Sequence, residues 1–500
     1  MQRRRFLSSA AALALTPLLL RQAFAAGSAN MSEMDHAAMG HGPVDAPPPA
    51  VGFDLPSGQP LPAPRLLANQ AGPGRFVAAL QAAPAELPLL PGNAATVFWA
   101  YNGQVPGPAI VAQEGDEVDI AFANHLTQPT TVHWHGMPVP ADQDGGPHYP
   151  VAPQGLRHYR FTLPADSAAS YWYHPHPHGL TGRQAYMGLA GVFVVKSKQD
   201  PLAHLPEQWL VLSDLKLDTA GQIAENSMAD RHDGREGQFV LVNGAWRPLV
   251  TLAEGERRRW RVWNATSARI LRIAVPAHDL MLVGTDGGLI AAPQPVTELL
   301  LSPGERAEVV ITGRFRAGQP AGVLARPYHR GKAMSAEQTD DILLASLERA
   351  ALGKTNSAPV PGRLRDIQPL PAPQVRRELR ISENMADMNA MFLINGKTFD
   401  MNRADFTGKA GEVEEWTLIS EAHMDHPFHI HGTRFQVTAR TEDGVWREEP
   451  FLAWRDVVNV PAGESVRLRL RFERPGLWMY HCHILEHEDA GMMGMIKVEA

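Results

Sequence analysis

Cysteine is almost missing from this chain. Cys482 is the one thiol in 500 residues, so an internal disulfide is excluded and the thiol must serve some other chemistry. Aromatic residues are also sparse, at 7%. Charge of positive sign is not in excess, since the formal net charge is −7. That makes the chain a poor partner for nucleic acid. The apolar run Ala10–Leu20 is too short to cross a bilayer as a helix, so no stable membrane insertion is expected. What the chain does have in quantity is turn-forming residues, 43 Gly and 42 Pro, which favour turn-rich β structure over helix bundles. Five hundred residues exceed a single core, and two to four domains are expected.

The N-terminus reads Gln2-Arg3-Arg4-Arg5-Phe6-Leu7-Ser8, then the apolar run, then Ala23-Phe24-Ala25. A basic head, a short apolar stretch and a small-x-small site form a signal peptide over residues 1–25. Paired arginines before Phe-Leu resemble the twin-arginine type, which implies the Tat export machinery and a periplasmic destination. Residues 26–69 form a tail. Its first part, Met31–Gly42, holds three methionines and two histidines, soft and imidazole donors suited to collecting metal. The alternative reading there is a plain linker. The stretch Pro47–Pro64 is rich in proline.

From Arg75 onward short Val/Ile/Phe runs alternate with Gly, Pro, Asn and Asp, the pattern of sandwiches or barrels. The pattern also repeats. Asn102-Gly103, Asn243-Gly244 and Asn395-Gly396 each precede an acidic glycine turn (Gly115-Asp116, Gly255-Glu256, Gly411-Glu412) and a strand-like run. Each period is the size of one β-sandwich, which divides the chain into domains over 70–198, 199–360 and 361–500.

Histidines concentrate in four clusters: His133-Trp134-His135, His174-Pro175-His176-Pro177-His178, His426-Pro427-Phe428-His429-Ile430-His431, and His481-Cys482-His483 with His487 and Met492 beyond. In an extended strand His-x-His sets two imidazoles on one face. His481 and His483 would face one way and Cys482 the other. A thiolate, imidazoles and a distant thioether make the ligand set of a blue-copper site. Surface histidines with no common purpose would not fall into four such pairs, two in the first domain and two in the third.

These motifs resemble the three-domain multicopper oxidases, the family of laccases and bacterial cuprous oxidases, over roughly residues 70–500. The resemblance implies an all-β fold of three cupredoxin-like Greek-key β-sandwich domains. It also implies four coppers per chain. A type 1 copper would take His426, Cys482 and His487, with Met492 as weak axial ligand. A type 2 copper would take His133 and His429, and a type 3 pair would take His135, His174, His176, His431, His481 and His483. His178 falls outside this set. The implied activity collects single electrons from a donor and reduces dioxygen to two waters. Cys482 and its two neighbours would link the electron-accepting site to the oxygen site. Asp144 and Glu488 resemble the family's proton donors.

The donor is left open by the motifs. Met385, Asp387, Met388 and Met391, with Met424 and Asp425 beside His426, suggest docking of Cu(I) by thioethers and carboxylates, and hence copper tolerance. An acidic position used by some relatives is Ala422 here, and their long Met-rich insertion is reduced to Asn384–Met391. The alternatives are a laccase-like oxidase of phenols, amines or Mn(II), and a non-catalytic copper-binding or structural relative.

Overall fold

The computed structural model describes residues 52–92, 94–316, 321–351, 356–387 and 390–500. The signal-like segment, the Met/His-rich stretch and Met388 lie outside the described residues. Six sheets account for the fold, and they pair into three sandwiches. In the first, one sheet runs in the order Thr96–Tyr101, Arg75–Leu87, Glu117–Asn124, Leu156–Thr162. The other runs Gly107–Gln113, Gly191–Lys196, Ala169–His174, His133–His135. The second sandwich joins a seven-stranded to a five-stranded sheet, between Glu207 and Arg349. The third joins a six-stranded to a five-stranded sheet, between Val375 and Glu499. Strands distant in sequence lie side by side: Arg75–Leu87 runs parallel to Glu117–Asn124, and Val375–Glu383 parallel to Val413–Ser420.

Alternation drives these elements. In Glu117–Asn124, Val118, Ile120 and Phe122 turn inward, and in Ser465–Arg471 Val466, Leu468 and Leu470 do. Each sandwich encloses its own apolar cluster, as expected when one face of each sheet is buried.

The repeated Asn-Gly pairs have a structural reason. Asn102, Asn243 and Asn395 adopt φ of 51°, 53° and 54°, each followed by a glycine with positive φ. Asn tolerates this region and Gly adopts it freely, which is what a tight hairpin turn demands. Each Asn carboxamide oxygen then accepts a backbone N–H from a neighbouring strand, from Gln81, Val211 and Arg380 respectively.

Three short helices are present among the described residues: Thr181–Tyr186, Met228–Asp233 and Leu485–Asp489. The last ties the third sandwich to the first, because the Asp489 carboxylate accepts the N–H groups of Thr181 (2.8 Å) and Gly182 (2.9 Å). No described helix is long and apolar enough to cross a membrane.

Candidate metal centre

Register sets the site. His133–His135 pairs with Ala169–His174, placing His133 opposite His174. Trp134 enters the core of the first sandwich, so the two flanking imidazoles leave by the other face. The third sandwich repeats the device. Phe428 pairs with Cys482 and His429 with His481. Phe428 and Cys482 lie in the core cluster, and the flanking histidines face away from it.

On the core side, three donor atoms form a triangle. His426 Nδ1 lies 3.4 Å from Cys482 Sγ, His487 Nδ1 lies 3.9 Å from the sulfur, and the two nitrogens are 3.3 Å apart. All three residues are buried. Nitrogens about 2 Å from a shared tetrahedral ion would be roughly 3.3 Å apart, so the spacing fits one ion. The outer nitrogens are anchored: His487 Nε2 donates to the His232 carbonyl (2.8 Å), and His426 Nε2 faces Glu383 Oε1 at 3.2 Å. Phe392 stacks on His487 with centroids 3.9 Å apart. Met492 is fully buried, and its carbonyl accepts the Cys482 N–H.

On the opposite side, eight imidazoles from both sandwiches converge. His431 Nε2 and His176 Nε2 approach His481 Nε2 to 3.1 and 3.3 Å, and His135 Nδ1 approaches His174 Nε2 to 3.4 Å. His483 sits with its ring 4.9 Å from that of His135. His133 and His429 each donate from Nδ1 to a backbone carbonyl, of Asp144 and Asp456 respectively. Their Nε2 atoms, both nitrogens of His483 and Nδ1 of His176 are buried without a hydrogen-bond partner. Buried polar atoms are rarely left so. Burial, reinforced by neighbouring imidazoles, lowers the pKa of His135, His174, His176, His429 and His481, and of His431 to about 4. Neutral imidazoles with lone pairs turned at one another are metal ligands in waiting, so the donor set fits copper.

Two carboxylates border this cluster in opposite states. Burial opposes the ionisation of Asp144, but His133 and His431 outweigh it and hold the carboxyl below its usual range. Its Oδ2 accepts from His431 Nδ1 at 2.8 Å. Glu488 lies 3.5 Å from His176 Nε2 and 3.3 Å from His481 Nδ1, and burial pushes it well above the usual range.

The sequence reading missed Asp456. It accepts from His135 Nε2 at 3.1 Å, offers its carbonyl to His429 and is clamped by Arg306 at 2.5 Å. It missed Glu383 and His423 as well, although both lie within a few residues of the methionines it singled out. Of the docking group, Met424 and Met391 are buried in the third core. Asp425 is buried too, its oxygens taken by Tyr328, Asn459 and the Ala462 N–H. Met385 is half-buried and Asp387 exposed. His178 is exposed, beside Phe399.

A buried thiol with two imidazoles on one side of a cupredoxin-like strand, and eight imidazoles on the other, define a copper-dependent oxidoreductase. Models of the multicopper oxidase family match residues 86–200, 207–319 and 371–500. A multicopper oxidase structure from Campylobacter jejuni, described as a metallo-oxidase, is 42% identical with a TM-score of 0.85, covering 89% of this chain and 96% of that one. The multicopper oxidase mco of Staphylococcus haemolyticus (strain JCSC1435) is 32% identical over 406 residues, 80% of this chain and 83% of that protein. The cell division protein FtsP of Photorhabdus laumondii (subsp. laumondii, strain DSM 15139 / CIP 105565 / TT01) is 29% identical over 459 residues, 87% of this chain and 91% of its own length. The chain belongs to the multicopper oxidases.

Proposed function

We propose that this oxidase holds four coppers per chain and takes its electrons from a metal ion, Cu(I) foremost, in the periplasm. The carrying observation is Glu383, which bridges His423 and His426. It sets a carboxylate against a ligand of the electron-accepting copper. A negative group at that position attracts a cation and gives a neutral phenol nothing. The description of the Campylobacter jejuni relative as a metallo-oxidase agrees with this reading.

His426, Cys482, His487 and Met492 would hold the type 1 copper, His133 and His429 the type 2 copper, and the remaining six histidines the type 3 pair. Copper, when bound, supplies the one-electron steps and the site of dioxygen reduction. The chain's part is position and protons. Cys482 lies between His481 and His483, so one tripeptide joins the two sides covalently. Asp456 and the Asp144 carbonyl orient the imidazoles. Environments that push two carboxyls apart divide acid from base: Glu488 holds a proton to deliver beside His176 and His481, and Asp144 stays charged and fixes the His431 tautomer.

The test is oxygen uptake by copper-loaded protein with Cu(I), Fe(II), Mn(II) and a bulky phenol. Cu(I) should give the highest kcat/KM, and Glu383→Gln should lower it at least 10-fold. A phenol outpacing every metal ion would replace this reading with the laccase-like one. The likeness to the cell division protein FtsP supports a second reading, a role in cell division, and one copper or fewer after full loading would favour it.

A further inference from the structure

Two histidines outside the copper-ligand set share the geometry of the ligands. His232 lies in the last turn of the helix Met228–Asp233 and is 2% exposed. Its Nδ1 donates to Asp233 Oδ1 at 2.7 Å, and its Nε2 is buried without a hydrogen-bond partner. His423 repeats this arrangement. Its Nδ1 donates to Glu383 Oε2, and its Nε2 is likewise buried and unpartnered. The two rings lie 5.5 Å apart, tilted by 38°. An imidazole that gives one N–H to a carboxylate and keeps the other nitrogen bare is the arrangement of a metal-binding histidine. The spacing is close to that of His426 and His487, whose ring centroids lie 5.1 Å apart with a 50° tilt.

The surroundings hold the pair in place. Asp233 also accepts the N–H groups of Met334 (2.9 Å) and Ser335 (2.6 Å) and the Ser335 hydroxyl, so its carboxylate is fixed. Arg330 turns its Nε to Glu236 at 3.0 Å and its Nη2 to the Asp233 carbonyl. The His423 side chain keeps 28% of its surface exposed, so the edge of the pair reaches solvent while both Nε2 atoms are buried.

Each member of the pair is also tethered to one ligand of the thiolate site. The His232 carbonyl accepts from His487 Nε2, and Glu383 joins His423 to His426. We propose that His232 and His423 form a two-imidazole docking site for the donor Cu(I) ion, with Glu383 as the link to His426. Two imidazole nitrogens suit a monovalent copper ion, and the carboxylates of Asp233 and Glu383 behind them favour a cation. The ion gives up one electron and leaves as Cu(II). Four such ions, with four protons, reduce one dioxygen to two waters. The proposal rests on the metal-donor reading above.

The experiment uses the full, copper-loaded chain and Ag(I), a monovalent ion of the same donor preference that is not oxidised. In His232→Asn and His423→Asn the amide keeps a donor where Nδ1 stood, so Asp233 and Glu383 keep their partner while the Nε2 ligand is lost. By calorimetric titration each variant should bind one Ag(I) fewer than the parent, with the blue absorption band unchanged. KM for Cu(I) should rise at least 10-fold. Equal Ag(I) stoichiometry in all three proteins, or an unchanged KM in a variant with its blue band intact, would overturn the site. The two readings fail separately. A parent that oxidises Cu(I) while the variants match it loses the site and keeps the function. A parent that binds the extra Ag(I) at His232 and His423 but does not oxidise Cu(I) keeps the site and loses the function.

Discussion

A thiol buried to 2% exposure holds its proton firmly, and burial raises the Cys482 pKa well above the ordinary range. Ionising it in that core requires a compensating cation, which copper supplies and no described side chain at the sulfur does. The sulfur's described neighbours are two imidazole nitrogens and the Ile484 N–H at 3.4 Å. Cys482→Ser keeps the volume and removes the soft anionic ligand. The variant should fold, with an unchanged far-ultraviolet circular dichroism spectrum. It should lose the blue band and at least 99% of oxygen uptake. Oxygen consumption near the parent's rate would mean that electrons enter by another route.

At the level of the element, the loop after His133–His135 must fold back so that Asp144 reaches two histidines. Its carbonyl takes N–H groups from His133 and Trp134, and its carboxylate that of His431. Gly145 permits the turn. Its φ is +82°, and a Cβ there would strike the Val132 carbonyl oxygen. Left-handed backbone alone costs a non-glycine residue about 1–2 kcal/mol, and here nothing but backbone can give way. Gly145→Ala should shift Asp144 off His133 and His431. Oxygen uptake should fall at least 10-fold. The blue band should persist, because the Cys482 triangle lies on the other side of the third sandwich's strand. Full activity in that variant would remove Asp144 from the machinery.

Across the whole molecule, the site depends on many neutral imidazoles being buried at once. Burial is the largest cause of the lowered pKa in His135, His174, His176, His429, His431, His481, His483 and His487, with His483 brought to about 3. In the unfolded chain they titrate near 6.5. Below that pH the unfolded state binds more protons, so stability present above 6.5 is lost as pH falls towards the folded values. Burial raises Glu486 and Asp489 to about 7 and Glu488 higher still, which works in the opposite sense. Burial also raises Asp214, Asp286 (to about 6) and Glu305 (to about 7), so six acids stand against eight imidazoles, each pKa unit being worth about 1.4 kcal/mol. Chelator-stripped protein should therefore show urea midpoints that fall from pH 7.5 to pH 5. A flat or rising profile would contradict the neutral, buried state of these histidines.

The sequence by itself determined the class. Turn residues at a repeated spacing read as sandwiches because an Asn-Gly turn is a local device, visible without any partner strand. His-x-His read as paired ligands because strand alternation is local too. What lies between strands could not be read this way. Asp456 is far from His135 in the chain, and antiparallel pairing of His426–Ile430 with Val457–Val460 brings it back beside His429. Glu383 gains its meaning only where its carboxylate meets His423 and His426. Met424 and Asp425 adjoin a ligand in sequence, yet the alternating faces of the chain send one into the core and the other to Tyr328 and Asn459. Spacing along a strand sets which residues share a face. Packing between strands and sandwiches decides which face meets solvent, core or another residue's lone pair.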